Sequence, residues 1–138
     1  MVVDCSVAVA WCFEDECTPG LDALLDQVQR DGALVPTLWI AETSNVLLLA
    51  CRRGRIRKEA VHERLSLLDM LPIAIDDDAV GPVWRSSVLT LADAEGLTFY
   101  DAVYLELSIR RGLPLATKDA ALRGAAGQRG VPVLPQAP

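Results

Sequence analysis

Short apolar runs alternate with longer amphipathic ones along this chain, and the long runs commonly stop at a glycine. No other feature restricts the fold as much. Brief apolar runs bounded by turn formers read as buried strands, and longer runs with 3.6-residue spacing read as helices. Met1 to Asp4 is expected to be a very short strand, with a helical stretch from Ser6 to Phe13. Thr18-Pro19 supplies an N-cap and a favoured first helical residue for a helix to Asp31, stopped by Gly32. Ala33 to Pro36 is a second strand, and Thr37 then caps a long helix through Arg53, closed by Gly54. A further helix covers Lys58 to Met70, and Pro72 to Ile75 is a third strand. Asp76 to Asp78 offer caps for a helix ending before Gly96. Thr98 and Asp101 open a helix that ends at Gly112. Pro114 to Thr117 is a strand, Asp119 to Ala126 a helix and Val131 to Leu134 a final strand, running into a short Pro-containing tail. Strands separated by helices require a parallel sheet covered on both faces. The expected fold class is therefore α/β, a three-layer α/β/α domain with a mostly parallel central sheet of four to five strands.

The totals agree with that pattern. A chain of 138 residues is near the commonest domain size, so residues 1–138 are expected to form a single domain. A hydrophobic fraction of 51% excludes intrinsic disorder. No apolar run reaches the roughly 18 to 20 residues of a spanning helix. The N-terminus, MVVDCSVAVAWCFEDE, lacks a basic leader region. A soluble, cytoplasmic protein without membrane contact is expected. Cys5, Cys12, Cys17 and Cys51 form no closely spaced pair, and with His62 as the single histidine they read as buried or partly buried free thiols, not a zinc site. The net charge of −6 argues against a surface that grips nucleic acid everywhere. It leaves room for an acidic metal site, and eleven of the thirteen basic residues are arginines suited to phosphate or carboxylate.

Four acids carry the chemistry. Asp4 ends the first strand, Glu42 lies in the early turns of the long helix, Asp101 is in the first turn of its helix, and Asp119 follows the strand Pro114 to Thr117. In open α/β sheets ligands bind outside the carboxyl ends of the strands, where this topology places all four. Clustered carboxylates repel, and a divalent cation relieves them. Hard oxygen donors without His or Cys suit Mg²⁺, with Mn²⁺ a second fit. Such a site supports hydrolysis of a phosphodiester. A nuclease working through imidazole acid–base chemistry would want two histidines, and this chain has one.

The segments VVDCSVAVAW (Val2 to Trp11), VPTLWIAETSNVLL (Val35 to Leu48) and LTFYDAVYLELSIRRGLPLATKDAAL (Leu97 to Leu122) resemble, in order and spacing, three signature blocks of PIN-domain ribonucleases, in particular VapC-family toxins. The resemblance spans nearly the whole chain. It implies a PIN-like fold and a metal-dependent endoribonuclease, the toxin of a type II toxin–antitoxin pair neutralised by a cognate antitoxin on a separate chain. A homodimer is also expected. By that resemblance Asp4 and Asp101 match the principal metal-binding acids, with Glu42 and Asp119 completing the catalytic set. Ser6, Asn45 and Thr117 match supporting polar positions. Cys5 departs from the usual small residue, and only three residues precede Asp4.

Each residue also has a plainer reading. Asp4 fits a turn, Asp101 a helix-dipole acid, Asp119 an N-cap, and Ser6 and Thr117 local caps. Glu42 is harder to dismiss, because an unpaired carboxylate among Trp39, Ile40, Ala41 and Val46 is costly. Arg52, Arg53, Arg55, Arg57 and Lys58 read either as a solvated helix end or as contacts to RNA or antitoxin, and Arg110 and Arg111 read the same way. His62 reads as a surface helix residue, and Trp11, Trp39 and Trp84 as core or interface. The apolar stretch Val46 to Ala50 exceeds one buried face, which suits an antitoxin helix, a homodimer contact or core packing. Two rival functions remain: a Mg²⁺-dependent phosphohydrolase with Asp4 as nucleophile, although its usual second Asp is replaced by Ser6, and a catalytically inactive PIN-like protein-binding module.

Overall fold

The computed structural model describes residues 1–136, so the tail's last two residues, Ala137 and Pro138, lie outside the described residues. These residues form a five-stranded parallel sheet with seven α-helices. The strands are β1 (Val2–Val3), β2 (Ala33–Pro36), β3 (Ile73–Asp76), β4 (Leu115–Ala116) and β5 (Val133–Leu134), in the order β3-β2-β1-β4-β5. Val2 pairs with Leu34 on one side and Leu115 on the other, so β1 is the central strand. Consecutive strand residues point to opposite faces. Val2 and Val3 are both fully buried, as are Leu115 and Ala116, so helices cover both faces at the centre. With only two ladder residues, β1 is held chiefly by this burial: about 1.5–3 kcal/mol for each valine, against about 1 kcal/mol for a net hydrogen bond.

The helices are α1 (Cys5–Ala10), α2 (Pro19–Asp31), α3 (Leu38–Arg52), α4 (Lys58–Asp69), α5 (Gly81–Glu95), α6 (Phe99–Arg111) and α7 (Ala120–Gln128). The main core packs Leu21, Leu24 and Val28 of α2, Trp39 of α3, Leu105 and Leu107 of α6 and Leu122 of α7 around the strands. A second cluster joins α1 to α3 through Cys5, Val9 and Leu47, and a third joins α5 to α6 through Val88, Ala92 and Val103. No helix among the described residues is long and apolar enough to cross a membrane.

Several local expectations hold and several need correction. Thr18 caps α2 by accepting from the Leu21 N–H at 3.3 Å, with Pro19 at the first turn. Thr98 caps α6 through the Asp101 N–H. Thr37, in contrast, already has helical backbone angles, and its hydroxyl caps nothing. The first helix ends at Ala10, short of the expected Phe13. Asp76 to Asp78 do not cap α5, which begins later, after Val80. Asp76 instead extends β3 opposite Pro36. Its buried carboxylate takes the Arg110 guanidinium through both oxygens at 2.6 and 3.3 Å, a charge-assisted pairing stronger than a cap. Arg111 lies 3.8 Å from the same group, so neither arginine is simply a solvated helix end. The Arg110 guanidinium holds the Asp76 carboxyl below its ordinary range. Among the thiols Cys5 is buried and Cys12 and Cys51 are half-buried, but Cys17 is exposed. His62 is exposed on α4, as expected. Trp39 is buried, whereas Trp11 and Trp84 are half-buried, their indole N–H groups donating to Leu21 O and to Glu106.

Gly32 is the tightest backbone position. It has φ 76°, and a Cβ there would meet the Pro72 carbonyl oxygen at 2.9 Å. Gly124, inside α7, has open space around it. Gly32→Ala should lower the unfolding free energy by about 2 kcal/mol, through left-handed strain and the clash. Gly124→Ala should raise it by up to about 1 kcal/mol, by helix propensity. Urea denaturation of the two variants checks the opposite signs.

Candidate active site

From β1 the chain moves outward through β2 to β3, then returns to place β4 on the other side of β1. The order therefore reverses between β1 and β4, and the carboxyl ends of those two strands border the crevice where open α/β sheets take ligands. Asp4 leaves β1 at that point and Thr117 leaves β4. The Asp4 N–H donates to Ala116 O at 2.9 Å, which sets the two strand ends side by side.

The Asp4 side chain is held by two hydroxyls. Ser6 Oγ and Thr117 Oγ1 each donate to Asp4 Oδ2 at 2.7 Å. Their polarity is set from behind, since Ser6 Oγ accepts from the Lys118 N–H at 3.0 Å and Thr117 Oγ1 from the Asp119 N–H at 3.1 Å. Each hydroxyl has one proton, and geometry directs it to the carboxylate. Asp4 is 5% exposed and Thr117 fully buried. Both side-chain hydrogen bonds thus fall on Oδ2, and none falls on Oδ1 among the described residues. Burial pushes the Asp4 carboxyl up, opposed by the two hydroxyls and by the amides of Cys5 and Ser6.

Glu42 comes from α3 and meets α6. The Tyr104 hydroxyl donates to Glu42 Oε1 at 2.5 Å. Burial, reinforced by Glu42, drives the Tyr104 phenol far above its ordinary pKa, so it stays protonated and keeps the proton it donates to Glu42. Burial also raises the Glu42 carboxyl; Tyr104 opposes this, while the charges of Asp4 and Asp101 add to it. Asp101, half-buried in the first turn of α6, is raised by burial, opposed by Thr98 and pushed further by Asp119 and Asp4. Asp119 is exposed, and its Oδ1 accepts from the Leu122 N–H at 2.8 Å, so its N-cap reading holds alongside any other. The four acids thus share one electrostatic field at the carboxyl edge of the sheet.

The other expected residues divide. Ser6 and Thr117 touch Asp4 directly. Asn45 is exposed on α3 and makes no side-chain hydrogen bond among the described residues. Arg52, Arg53, Arg57 and Lys58 are exposed, but Arg55 is engaged. It pairs with Asp15 at 3.0 Å and Glu16 at 2.9 Å and lies 3.6 Å over the Phe13 ring. Sequence reasoning missed Tyr104, whose signal was a polar-tipped aromatic one helical turn beyond Asp101 on an apolar face. It also missed the rim pair of Lys118 with Glu16 at 2.8 Å, which joins residues too distant in sequence for any local pattern to reveal.

As a donor set, this edge offers carboxylate oxygens. The nearby Cys5 thiol is pushed up to about 12 by burial and is neutral at ordinary pH, so no soft ligand competes. Among the described residues no three Asp, Glu, His or Cys side chains are gathered tightly enough to hold a metal on protein donors alone. A hard cation held here would have one or two of these carboxylates as ligands and water in its other positions, as Mg²⁺ commonly does. The residues present therefore fit a hard divalent cation.

A family model described as the PIN domain matches residues 1–128. A solved structure titled as the crystal structure of PAE2754 from Pyrobaculum aerophilum is similar over 96% of this chain and 87% of that one, with 25% identity and a TM-score of 0.72. No curated protein matches in sequence.

A carboxyl raised in the native state binds its proton more tightly there than in the unfolded chain, so above the folded pKa its ionised form destabilises the fold. Glu42→Gln should therefore raise stability at pH 7 with EDTA by about 1 kcal/mol, keeping an acceptor for Tyr104 while removing the charge. The gain should shrink as pH falls through the raised value towards the unfolded one near 4, where Glu42 is protonated in both states. Urea melts at pH 7 and pH 4 measure both parts.

Proposed function

Since this chain belongs to the PIN domain family, whose members are typically metal-dependent nucleases, we propose that it is a Mg²⁺- or Mn²⁺-dependent endoribonuclease, the toxin of a toxin–antitoxin pair. The observation that carries the reading is the setting of Asp4: at 5% exposure its carboxylate has no cationic partner among the described residues, Ser6 and Thr117 both hold its Oδ2, and its charge acts on Glu42 and Asp101. Buried charges are ordinarily paired with an opposite charge or coordinate a metal.

Asp4, through Oδ1, and Asp101 would hold the cation, with Glu42 and Asp119 completing the shell directly or through water. When bound, the ion supplies positive charge at the scissile phosphate and makes a water acidic enough to attack at neutral pH. The chain's own residues position the reaction. Ser6 and Thr117 fix the rotamer of Asp4, and Tyr104 holds Glu42 through Oε1. Glu42, its proton affinity raised by burial, accepts the proton of the attacking water. A P–O bond forms to that water, the bond to the leaving ribose oxygen breaks, and that oxygen departs with a proton from solvent.

Arg52, Arg53, Arg57 and Lys58, exposed from the end of α3 to the start of α4, are the proposed contacts for RNA phosphates or acidic antitoxin residues. Ile40, Val46 and Leu48 stand outward on α3 and support protein contacts there, with the cognate antitoxin and a second copy of the chain as proposed partners.

Purified protein should cleave single-stranded RNA with Mn²⁺ or Mg²⁺ and stop when EDTA is added. Asp4→Asn and Asp101→Asn should each lower the rate on the order of a hundredfold or more, with circular dichroism unchanged. Full activity in Asp4→Asn would overturn the assignment.

A further inference from the structure

An aromatic pocket opens at the carboxyl edge of the sheet, lined in part by the first turns of the helices that carry Glu42 and Asp101. It lies beyond the carboxyl end of β2, between the first turns of α3 and α6, and has a volume of about 280 Å³. Trp84, Phe99 and Tyr100 line it, together with Pro36, Leu38 and Val103. The chain has seven aromatic residues, so nearly half of them meet in this one depression. Tyr100 is 58% exposed, so its ring is open to solvent, and it precedes Asp101 in the first turn of α6. The rings stand edge to face, Trp84 on Phe99 at 5.9 Å and Phe99 on Tyr100 at 6.4 Å between centroids.

Polar groups hold this wall in place. The Trp84 indole N–H donates to Glu106 Oε2 at 3.2 Å. Glu106 is paired with Arg110 at 2.7 Å, and Arg110 with the buried Asp76 at 2.6 Å. A chain of charge-assisted bonds thus runs from the end of β3 to the back of the pocket. The Trp84 bond satisfies a partly buried indole N–H, and together with packing of Trp84 and Phe99 against Val88, Ala92 and Val103 it fixes the orientation of the rings.

Resting on the nuclease reading, we propose that this pocket binds one nucleobase of single-stranded RNA, stacked on Tyr100, and so places the neighbouring phosphodiester against Asp4 and Asp101. Sequence-tolerant stacking on aromatic rings is the usual way to hold unpaired bases, because every base has a π-face. The volume lies just under the range that takes drug-sized ligands, which suits a single planar ring system. Stacking also needs no cationic surface, in keeping with a chain of net charge −6.

The test compares wild type with Tyr100→Ala, Tyr100→Phe and Tyr100→Trp. A non-cleavable 2′-O-methyl oligoribonucleotide, with EDTA present, reads binding by anisotropy, and the cleavable oligonucleotide with Mn²⁺ reads KM and kcat. Tyr100→Ala should weaken binding and raise KM about tenfold with kcat within about twofold, and the Phe and Trp variants should stay near wild type. In a series with one abasic nucleotide at a time, a single position flanking the cleaved bond should bind wild type and Tyr100→Ala equally. Equal binding of the intact oligonucleotide by wild type and Tyr100→Ala, including none by either, overturns the pocket. Absence of wild-type cleavage overturns the nuclease reading by itself and leaves the binding comparison standing.

Discussion

Two hydroxyls donating to one oxygen of Asp4 tie this structure together where its topology turns. Ser6 comes from the helix after β1 and Thr117 from the end of β4, 111 residues apart in sequence, yet both give their proton to Oδ2 at 2.7 Å. β1 and β4 have only two ladder residues each, so this contact does for the carboxyl end of the junction what a longer ladder would otherwise do. It also binds position to chemistry. The amides of Lys118 and Asp119 force the hydroxyl protons toward Asp4, and the same geometry carries Asp119 to the edge of the acid cluster.

The acid cluster is an arrangement that works against stability. Burial raises Asp4, Glu42 and Asp101, and mutual repulsion adds to Glu42 and Asp101. A chain selected for stability alone would replace one of these acids or pair it with a cation. The fold does pair acids elsewhere: Asp76 lies against Arg110, and Glu16 takes both Arg55 and Lys118. Asp4, Glu42 and Asp101, raised by burial and without a cationic partner among the described residues, lie where the sheet offers a crevice, which is how perturbed carboxyls mark a candidate site.

Much of the architecture was legible because its signals are local. Thr18-Pro19 and Thr98 act as caps, Gly32 and Gly112 stop helices with positive φ, and the strand at Ala33–Pro36 falls where turn formers bound it. Errors came where a local reading met a distant partner. Asp76 has the side chain of a helix cap, but two arginines some 34 residues later draw it into β3 as a buried counter-ion. Thr37 has the composition of an N-cap, yet the chain enters the helix one residue early and its hydroxyl has no amide to accept. Arg55 looked like its basic neighbours until the fold set it over Phe13 and against Asp15 and Glu16.

The sequence by itself determined the α/β class, the parallel sheet and the four acids at its carboxyl edge, because periodicity, caps and strand ends depend on neighbours within a few residues. Only the tertiary structure decided which oxygen of Asp4 takes both hydroxyls, that Tyr104 holds Glu42, and that Trp84, Phe99 and Tyr100 meet in one pocket. Each of those facts depends on contacts between elements brought together by burial, and hydrogen-bond direction or ring orientation across such a contact has no counterpart in local sequence pattern.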